Sequence, residues 1–445
     1  MIARDMTRGD PLPILLKFSL PMLLSMAFQQ LYSIADSVVI GQLLGDAAFA
    51  AVSVSYPVTV LFVAFASGAS IGCSVVTAQL FGEKRDGAVK TSASTALLSM
   101  TAIGAMLIGI GLLGCRPLLG WMNTQAAIFE DAALYLQIYI GGVLFLFLYN
   151  TVNGIFTAIG DSLTPLWLLI ASSVLNVGLD LLFVPMWKVA GAAWATFLAQ
   201  GIVSLIALLL LLLRLRRLPG ERTQWFDGAI FVRILKIAVP SVCQQSFVSV
   251  GQLFVQGSIN SFSSIAVQSG YGGAFKINMF TITCICTLGN SLSSYTAQNT
   301  GAKEWERIRR GRRTALWMAV LFAAVVSALV MVFSGSLMSL FTNDDATRAV
   351  GQQFLWTVAP FYPFITIKII NDGVFRGTGS MGIFMTCTFL DLGLRVIAAY
   401  ALPPFIGASG VWWAFPIGWV ACTVLSGVWY YTGRWKHGRE VLGRS

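Results

Sequence analysis

Residues 154–160 read Gly-Ile-Phe-Thr-Ala-Ile-Gly, and residues 373–379, 219 positions later, read Gly-Val-Phe-Arg-Gly-Thr-Gly. The same offset carries Lys17 and Pro21 onto Lys236 and Pro240, and Ala78-Gln79-x-x-Gly82-x-Lys84 onto Ala297-Gln298-x-x-Gly301-x-Lys303. It also carries Pro185 onto Pro404, and Gly191-x-x-Trp194-Ala195 onto Gly410-x-x-Trp413-Ala414. These matches keep one register over some 180 positions and fall on Gly, Pro and Trp. Shared composition alone would scatter them over Leu and Ala, so the chain is an internal duplication.

Composition says what was duplicated. Of 445 residues, 56% are hydrophobic and 11% charged, with a mean hydropathy of +0.77. A soluble domain carries roughly 25% charged residues, so the solvent of this chain is largely lipid. Apolar stretches of about 20 residues then read as spanning helices, because a helix satisfies its own backbone groups where no water can. The alternation of a membrane barrel is absent. Twelve spans emerge, at 13–44, 48–81, 89–115, 126–157, 165–184 and 191–213, then 230–261, 266–299, 308–333, 347–375, 381–402 and 409–431. Residues 1–24 run into the first span without a small-residue cleavage signature, so they are read as part of it and not as a removed signal peptide.

Six spans per copy is an even number, so both copies enter the membrane from the same side. The expected fold is an all-α integral membrane protein with twelve transmembrane helices in two six-helix lobes. A pseudo-twofold axis along the membrane normal relates the lobes, with a substrate site between them near mid-membrane. The expected domains are an N-lobe (1–213), a cytoplasmic linker (214–229) and a C-lobe with a basic tail (230–445). Of the 29 basic residues, 23 fall on one side of this topology and three, Arg116, Lys188 and Arg348, on the other. The positive-inside rule therefore places both termini in the cytoplasm of a cell-membrane protein.

Several function classes drop out. The net charge of +10 is spread through the links between spans and forms no basic face for nucleic acid. No G-x-x-x-x-G-K-[ST] loop and no large soluble segment is present, so no ATP is expected. The sole histidine, His437, lies in the tail, and Cys284/Cys286 have no partner set for a structural metal. No cofactor, no catalytic residue and no enzyme activity are expected.

Carboxylates within spans are costly and mark functional sites by default. The first half offers Asp36 and Asp180. Gln29, Tyr32 and Asp36 share one helix face; Asn176 and Asp180 share another, as do Asn150 and Asn153, and Thr196 adds a hydroxyl. Apart from Lys17 and Lys90 at the cytoplasmic ends of their spans, no Lys, Arg or His lies inside a span of this half. Two such carboxylates either share a raised, coupled titration or hold a cation such as Na⁺ with amide and hydroxyl oxygens; a purely structural role capped by amides is the alternative. In the second half, Lys368 and Arg395 lie four residues from Asp372 and Asp391, a spacing for local neutralisation, and Lys276 is left over. Asn176 aligns with Arg395 at the repeat offset, so ion coupling should be one-sided. Pro21, in the first span, permits a kink.

The pattern resembles the multidrug and toxic compound extrusion (MATE) family over nearly the whole chain. Its carriers are Leu20-Pro21, Gln29-Gln30 and Asp36 in span one, and Gln79-x-x-Gly82 closing span two. They continue with Gly154 to Asp161 and Pro165, Asn176-x-x-x-Asp180, and Gly373-x-x-Arg376-Gly377-x-Gly379. The resemblance implies a secondary antiporter that exports small organic, often cationic, compounds in exchange for H⁺ or Na⁺, with two lobes around a V-shaped cavity. It implies ion binding at Asp36, Asn176, Asp180 and Thr196, and a substrate pocket nearby at Gln29, Tyr32, Asn150 and Asn153. Members that couple through a carboxylate in span seven differ, since this span offers only Gln244, Gln245, Gln252 and Gln256. Lys276 is a further substrate-contact candidate. A flippase for an anionic lipid-linked saccharide, with Lys276 on its pyrophosphate, is the competing transport reading; a non-transporting membrane scaffold is the third.

Overall fold

The computed structural model describes residues 5–122, 124–221 and 224–439, with the side chains of 34–49 and 437–439 excepted. Fourteen α-helical segments carry the described chain, and no strand occurs among the described residues. They are α1 (Pro11–Gly82), α2 (Asp86–Trp121), α3 (Ala126–Gly141), α4 (Val143–Ala158), α5 (Leu163–Arg216), α6 (Gly228–Asn260) and α7 (Ile265–Gly301). There follow α8 (Trp305–Val332), α9 (Ser334–Ser339), α10 (Asp345–Val358), α11 (Tyr362–Thr378), α12 (Met381–Ala401), α13 (Pro403–Ile406) and α14 (Ser409–Tyr431).

Eight helices among the described residues are long and apolar enough to cross a membrane, or nine when α3 and α4, bent by 43°, count as one span. α1 contributes two of the eight, Pro11–Ser33 and Ala50–Gly82. α5 is one of the eight but holds two spans: its 54 residues would reach about 80 Å if straight, and Lys188, at φ 51° and ψ −126°, breaks it after Pro185. The last two spans are α6 and α7, with 33 and 37 residues. Both are long enough but too rich in Gln, Ser and Thr to pass on hydropathy. These segments make up the twelve spans. Large apolar side chains such as Leu113, Trp317, Val332 and Phe405 are exposed, as suits a protein whose outer solvent is lipid.

Compactness divides the chain into one unit of Met1–Asp5 with Leu20–Val242, and another of Met6–Ser19 with Cys243–Ser445. Within each unit the duplication has a packing reason. A Cβ on Gly191 would lie 2.2 Å from the Phe183 carbonyl oxygen and 2.8 Å from the Val184 nitrogen. A Cβ on Gly410 would lie 2.7 Å from the Leu402 carbonyl carbon and 2.6 Å from the Pro403 nitrogen. Leu402 and Pro403 are Phe183 and Val184 moved by 219. Gly154 and Gly373 repeat the device against Ser70 and Gly289, again one offset apart. Only glycine lets these backbones approach so closely.

The second unit's core is aromatic: Tyr271, Phe354, Trp412, Phe415 and Trp419 pack as one cluster. In the first unit, Asp161 supports the α5 N-terminus. Its carboxylate accepts the Leu163 and Thr164 N–H groups at 3.2 and 3.0 Å and the Thr164 hydroxyl at 2.8 Å. Arg214 stands 3.6 Å from its second oxygen.

Candidate functional site

The break in α5 folds its two arms back on one another, held at the turn by the Gly191 contact. Asn176 and Asp180 on the first arm thereby meet Thr196 on the second. Asn176 is 3% and Asp180 1% exposed. The Tyr32 hydroxyl from α1 makes a hydrogen bond to the Asn176 amide.

Which end of an amide faces which neighbour is settled by its partners. The orientation that satisfies Asn176 turns its NH₂ toward the Tyr32 hydroxyl and toward Asp180 Oδ2, at 3.1 Å, while its carbonyl accepts the Thr196 backbone N–H at 3.2 Å. In the opposite orientation Tyr32 donates to Asn176 Oδ1, and the NH₂ faces the Thr196 hydroxyl at 3.5 Å. The Thr196 hydroxyl itself donates to the Ala192 carbonyl at 3.1 Å. A carboxylate, an amide and two hydroxyls thus converge in a buried place. All are oxygen donors of the kind a hard monovalent cation or a carboxyl proton takes.

Asp36 lies outside the described residues, since its side chain is among those of 34–49. Gln29 is exposed, one helical turn before Tyr32. Asn150 spends its amide on its own helix, donating to the Leu146 carbonyl at 2.8 Å. Asn153 is half-buried, its side chain meeting the Tyr149 hydroxyl. Lys276 belongs to the second unit, exposed, with its ammonium 5.9 Å from the centre of the Phe341 ring. Among the described residues no group of three or more His, Cys, Asp or Glu side chains is arranged to hold a metal ion.

The second unit contains ionic groups that sequence position did not mark. Arg312 and Arg376, counted with the cytoplasmic links, are buried. Arg312 donates through Nε to Asn371 Oδ1 at 2.8 Å and lies over the Tyr430 ring, 3.6 Å from its centre. Asn371 in turn donates to the Ser426 hydroxyl at 3.1 Å. The signal was available in Arg312 itself, which lies a helical turn from the apolar run that opens at Ala315.

Comparison with known proteins agrees with this architecture. The MatE family model matches residues 21–182 and again 240–401, two stretches that begin and end 219 residues apart. The "Probable multidrug resistance protein YpnP" of Bacillus subtilis is 28% identical over 98% of both chains. The "Probable multidrug resistance protein YoeA" of the same organism is 27% identical over 94% of this chain and 93% of its own. Among solved structures, a MOP superfamily transporter from Pyrococcus furiosus superposes with a TM-score of 0.89 at 23% identity, covering 98% of this chain and 97% of that one. The duplicated family match, spread over most of the chain, decides identity: the chain belongs to the MATE (MatE) family and is a multi-pass membrane transporter, not an enzyme.

Proposed function

We propose that this transporter is a secondary antiporter that exports small amphipathic organic compounds in exchange for H⁺ or Na⁺, without ATP, and that Asp36, Asn176, Asp180 and Thr196 take up the ion. The observation that carries this reading is the convergence of Tyr32 and Thr196, both half-buried, on the buried Asn176 and Asp180 of the first unit. The multidrug-resistance names of the Bacillus subtilis relatives support organic compounds as cargo.

The Asn176 amide supplies a switch. An ionised Asp180 is an acceptor only and holds the NH₂ toward itself; a protonated Asp180 carries an O–H that donates instead. The amide then turns, and Tyr32 changes from acceptor to donor. Tyr32 sits on α1 and Asn176 on α5, so ion uptake is read out as an altered contact between two helices. A Na⁺ ion drawing on the amide carbonyl forces the same reversal. Either way the ion favours the conformation it binds better, and transport follows from that difference.

Gln29, Tyr32, Asn150, Asn153 and Lys276 are assigned to substrate contact, and both termini to the cytoplasmic face of the cell membrane. A flippase for an anionic lipid-linked saccharide is the second reading, favoured by the exposed Lys276 ammonium in the first third of α7. Lys276→Glu separates the two, since only a flippase loses binding of a phosphorylated lipid. The main test is efflux from vesicles with a pH gradient and a sodium gradient imposed separately. One of them should drive export of an amphipathic dye against its concentration gradient; export that ignores both and follows ATP sinks the proposal.

A further inference from the structure

We infer that the turn in α5 is a membrane-surface anchor at which Lys188 binds the phosphate of an anionic phospholipid headgroup, with Met186 and Trp187 set in the acyl boundary beside it. Which leaflet this is follows from the topology proposed above; the site itself does not depend on it.

The backbone of the turn asks for glycine. Lys188 has φ 51° and ψ −126°, close to the values of about +60° and −120° for the first central residue of a type II′ turn, where a Cβ is strained and glycine is the usual occupant. The duplication supplies the unstrained version: the counterpart of Lys188 is Gly407, at φ 62° and ψ −149°. Gly191 holds the two arms against the Phe183 carbonyl and the Val184 nitrogen, so the turn has little freedom to relax. Strain of this kind persists only where the surroundings impose it, and it collects at functional positions. Packing gives no reason for the lysine. Its side chain is exposed, and a Cβ at the equivalent Gly407 would meet nothing within 4 Å.

The charge is unmatched as well. Six of the 29 basic residues lie away from the cytoplasmic links. Arg116 lies 2.6 Å from Glu130 and Arg348 3.1 Å from Asp345. Lys368 lies 2.7 Å from Asp372 and Arg395 2.7 Å from Asp391, while Lys276 has the Phe341 ring. Of the six, only Lys188 has no ion pair, side-chain hydrogen bond or ring contact among the described residues. Its counter-charge therefore comes from outside the protein.

The neighbouring residues say which anion. Met186 and Trp187 immediately precede Lys188 and are 64% and 50% exposed; Phe405 and Ile406, at the same place in the second unit, are exposed too. Trp187 tilts against Phe183, their ring centres 4.9 Å apart. Large apolar side chains displayed at the tip of a turn mark a membrane contact, and tryptophan favours the level of the headgroups. A lysine at that depth extends its ammonium to the phosphates while its stem stays in the apolar boundary. An anionic headgroup carries the net charge that matches it. The second unit keeps the apolar tip but has Gly407 in place of the cation, so of the two turns only that of α5 takes a headgroup.

The test uses the full-length protein stripped of lipid in detergent, at constant ionic strength, with thermal unfolding as the readout. Without lipid, Lys188→Gly should melt roughly 1–2 °C above wild type as the strain is relieved. Lys188→Gln keeps the strain and should melt with wild type. Phosphatidylglycerol should then raise wild type and Lys188→Arg, saturably, by about 1 °C more than it raises Lys188→Gln or Lys188→Gly. Arg348→Gln, whose charge is already spent on Asp345, should gain as much from the lipid as wild type. Inorganic phosphate should reproduce none of the difference. A lipid response in Lys188→Gln equal to that of wild type overturns the proposal, as does a difference that inorganic phosphate reproduces in full. Lys188→Gly melting below wild type without lipid also overturns it, since the lysine would then be serving the fold. Failure of the proposed topology would instead appear as a Lys188→Cys variant that a membrane-impermeant thiol reagent reaches only in lysed cells.

Discussion

Adding a single methyl group at Gly191 tests the link from repeat to fold to site. An alanine Cβ there would lie 2.2 Å from the Phe183 carbonyl oxygen, 2.5 Å from its carbon and 2.8 Å from the Val184 nitrogen. Non-bonded heavy atoms rest at about 3.5 Å or more. All three obstacles are backbone atoms, so no rotamer change relieves the clash, and the arms of α5 must part by roughly 1 Å. Overpacking of this kind costs about 1–3 kcal/mol, which corresponds to a fall of roughly 1–3 °C in melting temperature for a chain of 445 residues. The same parting pulls Thr196 away from Asn176, so gradient-driven efflux should fall with stability. Gly178→Ala is the control: it lies on the same helix two residues before Asp180, and a Cβ there meets nothing within 4 Å. That change should leave the melting temperature equal or slightly higher, since alanine is the better helix former. Gly410→Ala should repeat the Gly191 penalty in the second unit. Thermal unfolding in detergent reads all three. If Gly191→Ala melts with Gly178→Ala, the close approach is wrong and so is the structural meaning given to the repeat.

Two further outcomes follow from groups away from the first unit's site. Arg312→Met should lose about 1.5–3 kcal/mol with the charged hydrogen bond to Asn371, and Arg312→Lys should recover little of it, because an ammonium lacks the planar stack on Tyr430; unfolding in increasing denaturant measures both. Asp344 begins α10, accepting the Thr347 N–H at 2.8 Å and the Thr347 hydroxyl at 2.6 Å, and the hydrogen bond from Thr347 holds its carboxyl below the usual carboxylate range. A group lowered on folding stabilises the folded state above its unfolded value of about 3.9 and loses that contribution as pH falls through the folded one. Asp344→Ala should therefore melt below wild type at pH 7, with the gap closing on acidification below that value.

The duplication, the twelve spans and the pairing of Lys368 and Arg395 with their acids were all readable before any coordinates, because each rests on spacing along one helix or on a constant offset. Contacts between helices were less readable. Tyr32 was assigned to substrate by resemblance, yet its hydroxyl meets Asn176, a partner 144 positions away. Asn150 shares a helix face with Asn153, but its amide closes on the carbonyl one turn back, which periodicity alone does not reveal. Arg312 and Arg376 were counted as cytoplasmic surface charge because topology rules see depth along a span and are blind to burial within a bundle. The α6 and α7 helices, read as spans from their length, are the two whose own hydropathy is diluted by Gln, Ser and Thr.

The account turns on whether Asp180 carries the coupling ion. Proteoliposomes containing wild type or Asp180→Asn, matched for folded protein, can be assayed for substrate exchange at equal concentrations and for uphill efflux under an imposed ion gradient. The account predicts that Asp180→Asn keeps the exchange and loses the uphill efflux. Uphill efflux at the wild-type level in that variant would contradict it.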